Sequence, residues 1–201
     1  MSHHQHSLKG KKVAILVADG FEQVEMTEPR RYLEEADAQV VVISPNQREV
    51  RAWNEKDWGD TFRVDLSLGR AKADDFHGLM LPGGVMNPDT LRMNEEAVRF
   101  VKAFFLAAKP VAAICHGPWI LIDAGVVKGR TVTSYPSLKA DLANAGAKWM
   151  DQEVVVESGL VTSRRPGDLP AFCEAMVEAF GSEHYEMQKP MEAFQPVAPV
   201  H

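Results

Sequence analysis

The residues best suited to chemistry in this sequence are Cys115 and His116, which directly follow the apolar run at 111–114. A nucleophile is exposed at this kind of strand-to-helix turn in several α/β enzymes. Gly117 lets the backbone fold tightly at the same point. The N-terminus of the helix that follows would lower the pKa of the thiol and favour the reactive thiolate. The pattern therefore predicts a nucleophilic Cys115, and a buried structural cysteine is the less favoured alternative.

Backbone N–H groups close to the thiol are candidates for binding an oxyanion. His116 offers one such group, and its imidazole could also act as a general acid or base. Gly83 and Gly84 follow the apolar run at 79–81 and could direct another N–H group into the same crevice. A Pro-Gly-Gly turn alone is a weak signal, because many tight turns use it. We predict an oxyanion site built from these residues together with Gly117.

Two carboxylates, Glu22 and Glu25, follow the first apolar run of the chain, at 13–17. An ionised carboxylate near the sulfur would repel a thiolate, whereas a buried and protonated one could donate a hydrogen bond to it. We hypothesise that Glu22 is the protonated partner of Cys115. The alternative is that Glu22 is an ordinary charge in the first turn of a helix.

Strand and helix patterns alternate along the chain and would position these groups together. Short apolar runs at 13–17, 40–43, 79–81 and 111–114 are typical of strands covered on both faces. The alternation predicts an α/β fold with a mainly parallel sheet and helices on both faces. Ligands bind beyond the carboxyl ends of the strands in such sheets, so the thiol, the glycines and a carboxylate should share one crevice.

Other segments have simpler interpretations. The stretch 49–68 predicts a hairpin, and Trp53 and Trp58 within it could mark a subunit interface. Asn94 and Asp168 are predicted helix N-caps, and Pro29 should lie in the first turn of a helix. Cys173 sits among apolar residues of an amphipathic helix and is predicted to be a core residue.

Composition restricts the class of protein and its partners. The chain has 201 residues, 45% of them hydrophobic, and a net charge of -6, as in one soluble globular domain without affinity for nucleic acid. Two cysteines give no disulfide framework, and no apolar stretch approaches the ~20 residues that span a membrane. The N-terminal residues lack a secretion signal, which predicts a cytoplasmic protein. Glycine-rich phosphate-binding motifs are absent from the sequence, so no cofactor is predicted.

We divide the chain into a flexible tail at 1–10, one α/β domain at 11–181 and an extension at 182–201. His3, His4 and His6 could catch a metal ion, but they lack acidic or cysteine partners nearby in the sequence. We therefore predict a polar tail without a metal site.

Several of these stretches together resemble the PfpI family of intracellular cysteine peptidases and deglycases, within the class I glutamine amidotransferase-like superfamily. The similarity covers roughly residues 11–180, and its most specific part is the stretch AAICHGPWILIDAG at 112–125. Further matching stretches are ADGFEQVE (18–25), LMLPGG (79–84), NPDTLR (87–92), TSYPSLKADLANAGAKWMD (133–151) and EVVVESGLVTSRRPGDLPAF (153–172).

The resemblance implies a flavodoxin-like three-layer sandwich that assembles as a homodimer or hexamer. It implies Cys115 as nucleophile with His116 as its partner, and Glu22 as the acidic residue that contacts the sulfur. Asp89 occupies the position of the acidic residue that orients the histidine of an adjacent subunit. The implied activity is cofactor-independent attack on a carbonyl carbon, in methylglyoxal, in its adducts on thiols and amines, or in a peptide bond.

Two other functions remain open from the sequence. Cys115 could be a redox-sensing thiol that works without turnover. Glutamine amidotransfer would need a histidine and a glutamate distant from the cysteine, and His184 with Glu186 has that spacing. That pair follows the last predicted helix rather than a strand end, which disfavours this function.

Overall fold

A computed structural model describes residues 7–182 of the chain. The N-terminal histidines, the pair His184 and Glu186, and nearly all of the C-terminal extension lie outside the described residues. Leu8 is fully buried, and its N–H donates to the carbonyl of Ala36 at 2.6 Å. The packed part of the chain therefore begins before residue 11, inside the segment predicted to be a tail.

Eleven strands are found in the described residues, and seven of them form the central sheet in the order β10-β11-β7-β6-β1-β2-β5. Every neighbouring pair in this sheet is parallel except β10 and β11. The mainly parallel sheet predicted from the apolar runs is therefore confirmed. The strands are β1 (Lys12–Leu16), β2 (Gln39–Ser44), β3 (Glu49–Asn54), β4 (Asp57–Arg63), β5 (Leu66–Ser67), β6 (Gly78–Leu81), β7 (Val111–Ile114), β8 (Thr131–Val132), β9 (Lys148–Trp149), β10 (Val154–Glu157) and β11 (Leu160–Ser163).

Helices cover both faces of the sheet and complete the three-layer sandwich that the resemblance implies. One core contains Phe104 and Leu121 and lies on the side of α3 and α4. The opposite core contains Met26 and Phe172 and lies on the side of α1 and α6. The helices are α1 (Gln23–Glu35), α2 (Met86–Arg92), α3 (Glu95–Leu106), α4 (Trp119–Asp123), α5 (Lys139–Asn144) and α6 (Leu169–Gly181).

The predicted hairpin is confirmed as the antiparallel pair β3 and β4. Its two tryptophan rings, Trp53 and Trp58, make an edge contact with centroids 5.7 Å apart. Trp58 is 40% exposed, so a role in a subunit interface stays a prediction. Strands β8 and β9 pair in parallel in a separate small sheet, which the chain forms between α4 and β10.

The helix starts agree only partly with the predicted caps. Asn94 caps α3 as predicted, since its side chain accepts from the N–H groups of Glu96 and Ala97. Asp168 precedes α6 but makes no capping bond, because its carboxylate pairs with the guanidinium of Arg164 at 2.8 Å. The position predicted for Pro29 is wrong, because α1 begins at Gln23 and Pro29 lies inside it.

Cys173 is fully buried in α6, as predicted for a core residue. Burial raises the pKa of its thiol to about 12. A search of residues 7–182 finds no helix that is long and apolar enough to span a membrane.

Candidate active site

Three strand ends meet at one point of the sheet, as the chain pattern predicts. Strands β7, β6 and β1 are neighbours in the sheet. The chain passes from β1 to β2 on one side of β1 and adds β6 on the other side, which makes the β1–β6 boundary a switch point. Gly83 follows β6 and Glu25 follows β1, and the Gly83 N–H donates to Glu25 Oε2 at 2.9 Å. An added Cβ on Gly83 would lie 2.7 Å from the Cβ of Cys115, after β7. The crevice therefore contains the thiol, the glycine pair and a carboxyl group.

Cys115 occupies a strained turn at the end of β7. Its φ of 62° lies in the left-handed region, which L-residues with a side chain seldom adopt. Its N–H donates to the Ser163 carbonyl at 3.1 Å, and its own carbonyl accepts from the Tyr135 N–H at 2.8 Å. These bonds hold the backbone in the unfavourable conformation and fix the direction of the thiol.

Gly117 makes the tight turn possible. A Cβ at this position would approach the carbonyl oxygen of Ile114 to 2.8 Å and would overlap with that of Leu81. The Gly117 N–H closes the turn by donating to Ile114 at 2.8 Å. The close backbone approach predicted for this glycine agrees with this geometry. The oxyanion role also predicted for it does not, because its N–H is bonded to the Ile114 carbonyl.

The acidic residue at the sulfur is Glu25, and the contact predicted for Glu22 is wrong. The Glu25 carboxyl is fully buried beside Cys115, and the two groups influence each other's pKa. Glu22 instead accepts from the N–H of Glu55 at 3.2 Å. Glu22 precedes α1, whereas Glu25 lies inside the helix on the face that carries the buried Met26. Helical spacing in the sequence therefore held the signal that distinguishes the two carboxylates.

Burial controls the protonation of the Cys115–Glu25 pair. It raises the pKa of Glu25 from the ordinary value of 4.5 to about 8, so the carboxyl is neutral at pH 7. Burial also raises the pKa of the Cys115 thiol, because it penalises the charged thiolate. The depressed pKa predicted from a helix N-terminus is therefore wrong. The physical reason is that the thiol is only 7% exposed and that α4 has only five residues.

Two backbone N–H groups oppose this effect. Those of His116 and Gly84 face the sulfur and lower the thiol pKa. Gly84 has a φ of 75°, and a Cβ there would lie 2.8 Å from the Glu22 nitrogen, so this position needs glycine. The Gly83 N–H is already bonded to Glu25. Of the glycine pair, Gly84 is thus the residue whose N–H faces the sulfur as well as the Glu25 carboxyl.

The His116 ring lies between the thiol and the hydroxyl of Ser137. Its Nδ1 is 3.3 Å from Cys115 Sγ, and its Nε2 is 3.0 Å from Ser137 Oγ. Tyr135 stacks on the ring with centroids 4.6 Å apart. Burial lowers the pKa of His116, so the imidazole is neutral at pH 7 and can accept a proton. Although adjacent in sequence, the two side chains do meet, because the left-handed turn at Cys115 brings them to one side.

Asp89 lies on α2, and its side chain is exposed. An acid that orients His116 would contact Nε2 of its ring, and in this chain the Ser137 hydroxyl is at that position. A role for Asp89 in a neighbouring subunit stays a prediction. Tyr135 and Ser137 were missed as site residues, although they lie in the stretch 133–151 that contributes to the resemblance, because nothing in their types or spacing connects them with the cysteine. Within residues 7–182, no group of three or more His, Cys, Asp or Glu side chains could hold a metal ion.

Comparison with known proteins gives relatives over the same residues. The DJ-1/PfpI family model matches residues 11–179. A deglycase of Pyrococcus abyssi is 46% identical over 167 residues, which are 83% of this chain and 98% of that protein. The putative cysteine protease YraA of Bacillus subtilis is 45% identical over 163 residues, which are 81% of this chain and 94% of that protein.

A solved structure supports the fold. The crystal structure of a two-domain protein from Anabaena variabilis, with DJ-1/ThiJ/PfpI-like and ferritin-like domains, superposes with a TM-score of 0.80 at 36% identity. The match covers 85% of this chain and 48% of that protein. The family model covers most of the described residues, the relatives are 45–46% identical, and the chain belongs to the DJ-1/PfpI family.

Proposed function

We propose that this protein is a cysteine-dependent enzyme that acts on small carbonyl compounds, namely methylglyoxal and its early adducts on thiols and amines. One observation carries the proposal. The Cys115 thiol sits in a strained turn among the protonated Glu25 carboxyl, His116 Nδ1 and the N–H groups of His116 and Gly84. Such a setting suits attack on a carbonyl carbon and stabilisation of the resulting oxyanion.

The first step starts from a neutral site. The thiol proton moves to the neutral Nδ1 of His116 while the sulfur electron pair forms a bond to the carbonyl carbon. The π electrons of the C=O group move to oxygen, and the oxyanion accepts hydrogen bonds from the backbone N–H groups at the turn. Glu25, which carries a proton at pH 7, can donate it to the sulfur in the thiolate form.

With methylglyoxal the sulfur attacks the aldehyde carbon, and His116 Nδ1–H returns the proton to the oxyanion, which gives a hemithioacetal on Cys115 and a neutral imidazole. A base then removes the proton from the carbon bonded to sulfur, and protonation of the neighbouring carbon leaves a thioester. Water hydrolyses the thioester to lactate and restores the thiol, so no external oxidant or reductant is required. His116 is the residue best placed to move these protons, because its Nδ1 lies 3.3 Å from the sulfur.

Burial of the thiol supports small substrates over polypeptides. Cys115 is 7% exposed and His116 is 8% exposed, so an extended peptide would need the crevice to open before its scissile carbonyl reached the sulfur. The Pyrococcus abyssi relative is named a deglycase, whereas the Bacillus subtilis relative is named a putative cysteine protease. Peptidase activity is therefore the second candidate, and it shares the same first step.

The redox-sensing alternative has less support. Oxidation of a sensor cysteine follows thiolate character and solvent access. The raised pKa and the burial of Cys115 reduce both properties in the resting protein.

The proposal is tested with a panel of methylglyoxal, a methylglyoxal–thiol adduct and a fluorogenic peptide. We expect multiple turnovers with the first two, and loss of at least about 100-fold in kcat/KM in Cys115→Ser. Cys173→Ala is the matched control, because this second thiol lies in the core outside the crevice. Equal activity of Cys115→Ser and wild type would refute the assignment of Cys115 as the nucleophile. Stoichiometric modification without turnover would favour the sensor.

A further inference from the structure

The side of the His116 ring that faces away from the sulfur is occupied by Ser137. The distance from Nε2 to Ser137 Oγ is 3.0 Å, and His116 as a residue is only 8% exposed. Tyr135 stacks on one face of the ring, and Trp119 lies at 6.3 Å between centroids. The ring is thus surrounded by a thiol, a hydroxyl and two aromatic side chains.

Ser137 is held in place by the same turn that fixes the nucleophile. It belongs to the short 3-10 segment Pro136–Leu138, whose last residue is 2% exposed in the core. Just before this segment, the Tyr135 N–H donates to the carbonyl of Cys115 at 2.8 Å. The hydroxyl therefore has a defined position relative to the cysteine, even though Ser137 itself is exposed.

We infer that Ser137 is a positioning residue that accepts a hydrogen bond from His116 Nε2–H and so keeps the lone pair of Nδ1 directed at the Cys115 thiol. This inference rests on the proposed function, since it concerns how the base of that reaction is oriented. The hydrogen-bond partner of His116 would then come from the same chain rather than from a neighbouring subunit.

A hydroxyl acceptor fits both states of the imidazole. In the resting site, Nε2 carries the ring proton and Nδ1 accepts from the thiol. After the thiol proton moves to Nδ1, the imidazolium carries protons on both nitrogens, and Nε2–H still donates to Ser137 Oγ. The bond therefore needs no rearrangement during the step. The opposite tautomer, with the proton on Nδ1, could not receive the thiol proton there.

A neutral partner also leaves the imidazole neutral at rest, which a carboxylate would not do. The titratable groups that face the ring are Cys115, with Glu25 behind it, and Tyr135 on its stacked face. Beyond Trp119, the Arg92 guanidinium lies 4.6 Å from the indole centroid. A carboxylate introduced at position 137 would therefore be the nearest negative charge to Nε2.

The test compares Ser137→Ala, Ser137→Thr and Ser137→Asp with wild type on methylglyoxal. We expect Ser137→Ala to lower kcat about 10-fold with little change in KM, and Ser137→Thr to recover most of the loss. Ser137→Asp should raise the pKa of His116, so the acid limb of the pH profile should move to higher pH. Ser67→Ala is the control, a serine in the edge strand β5. Unchanged kcat in Ser137→Ala, or no recovery in Ser137→Thr, would overturn the inference.

A second readout does not need turnover and separates this inference from the proposed function. Nitrogen-15 spectra of histidine-labelled protein, with His116→Gln to assign the signals, report which ring nitrogen carries the proton. We expect Nε2–H in wild type and a mixture of tautomers in Ser137→Ala. A protonated Nδ1 in wild type would refute the positioning role even if methylglyoxal turnover is observed. Wild type without turnover but with Nε2–H would refute only the proposed reaction.

Discussion

Glu25 links the chemistry of the crevice to the stability of the whole chain. Its carboxyl is fully buried, one oxygen accepts from Gly83, and the other has no nitrogen or oxygen partner among the described residues. An ionised carboxylate in this place would carry a charge that is neither paired nor solvated. Neutral Glu25 is therefore both the form that folding prefers and the form that can donate to sulfur.

This preference predicts how stability depends on pH. Glu25 has a pKa of about 8 in the folded protein and an ordinary value of 4.5 when unfolded. The folded state therefore binds more protons between these values, and the free energy of unfolding falls as pH rises through that window. We expect Glu25→Gln to remove this fall, so that its free energy of unfolding relative to wild type rises by about 4 kcal/mol from pH 5 to pH 9.

Urea unfolding of both proteins across that range measures the difference. Comparing the two at each pH cancels the contribution of His116, whose lowered pKa acts in the opposite direction below its ordinary value of 6.5. Gln retains an oxygen that can accept from Gly83, so the backbone contact is preserved. If the free energy of unfolding changed with pH in the same way in wild type and Glu25→Gln, the raised pKa of Glu25 would be contradicted.

At the scale of elements, the site depends on how closely β6 and β7 approach beyond their carboxyl ends. Gly117 lies where a Cβ would meet the carbonyls of Leu81 and Ile114, both backbone atoms that cannot rotate away. We expect Gly117→Ala to lower the free energy of unfolding by about 3 kcal/mol or more and to reduce activity strongly. Thermal unfolding and methylglyoxal turnover test both effects.

The control is Gly167→Ala, where a Cβ meets nothing within 4 Å. This substitution should change stability by less than about 0.5 kcal/mol. Similar losses in the two variants would mean that the close approach at Gly117 is not what makes its side chain intolerable.

The N-cap of α3 gives a second prediction at this scale. Asn94 accepts from two backbone N–H groups, at 2.9 Å and 3.1 Å. Asn94→Ala should cost about 1 kcal/mol of stability, while Asn94→Asp should retain most of it, because Asp accepts in the same way. Chemical unfolding measures both. An Asp variant as unstable as the Ala variant would argue against capping.

The sequence predicted the secondary-structure elements better than the side-chain contacts at the site. Apolar runs located β1, β2, β6 and β7, since strands covered on both faces leave a continuous signal. Placement of Cys115 at a strand end followed from the same signal. The choice of Glu22 over Glu25 failed because it used proximity to the strand rather than the helical face. Ser137 could not be predicted, because its contact with His116 depends on how a distant turn packs against the end of β7.

At the scale of the whole molecule, assembly remains the main prediction. The resemblance implies dimers or hexamers, and α2 with the preceding loop carries exposed apolar side chains, Val85 at 57% and Met86 at 40% exposure. Asp89 is on the same segment. We expect sedimentation to give a mass of two or six times 22.3 kDa, and we expect Val85→Glu to shift the distribution toward single chains.

Activity of the dissociated variant then decides the role predicted for Asp89. If single chains keep the wild-type kcat/KM, an acid from a neighbouring copy is not needed, and Ser137 suffices to orient His116. If dissociation abolishes activity while circular dichroism shows an intact fold, the neighbouring copy contributes to the site.

Cys173 is completely buried in α6, so its thiol can serve as a probe of local opening in the folded protein. In a Cys115→Ser background it is the chain's single sulfhydryl, and a reagent can reach it only when the helical layer opens. The rate of labelling in native buffer then yields the free energy of that opening without denaturant. The measurement can be repeated with a carbonyl compound bound in the crevice. It would then show whether a ligand at the strand ends makes opening of the helical layer that contains Cys173 less frequent.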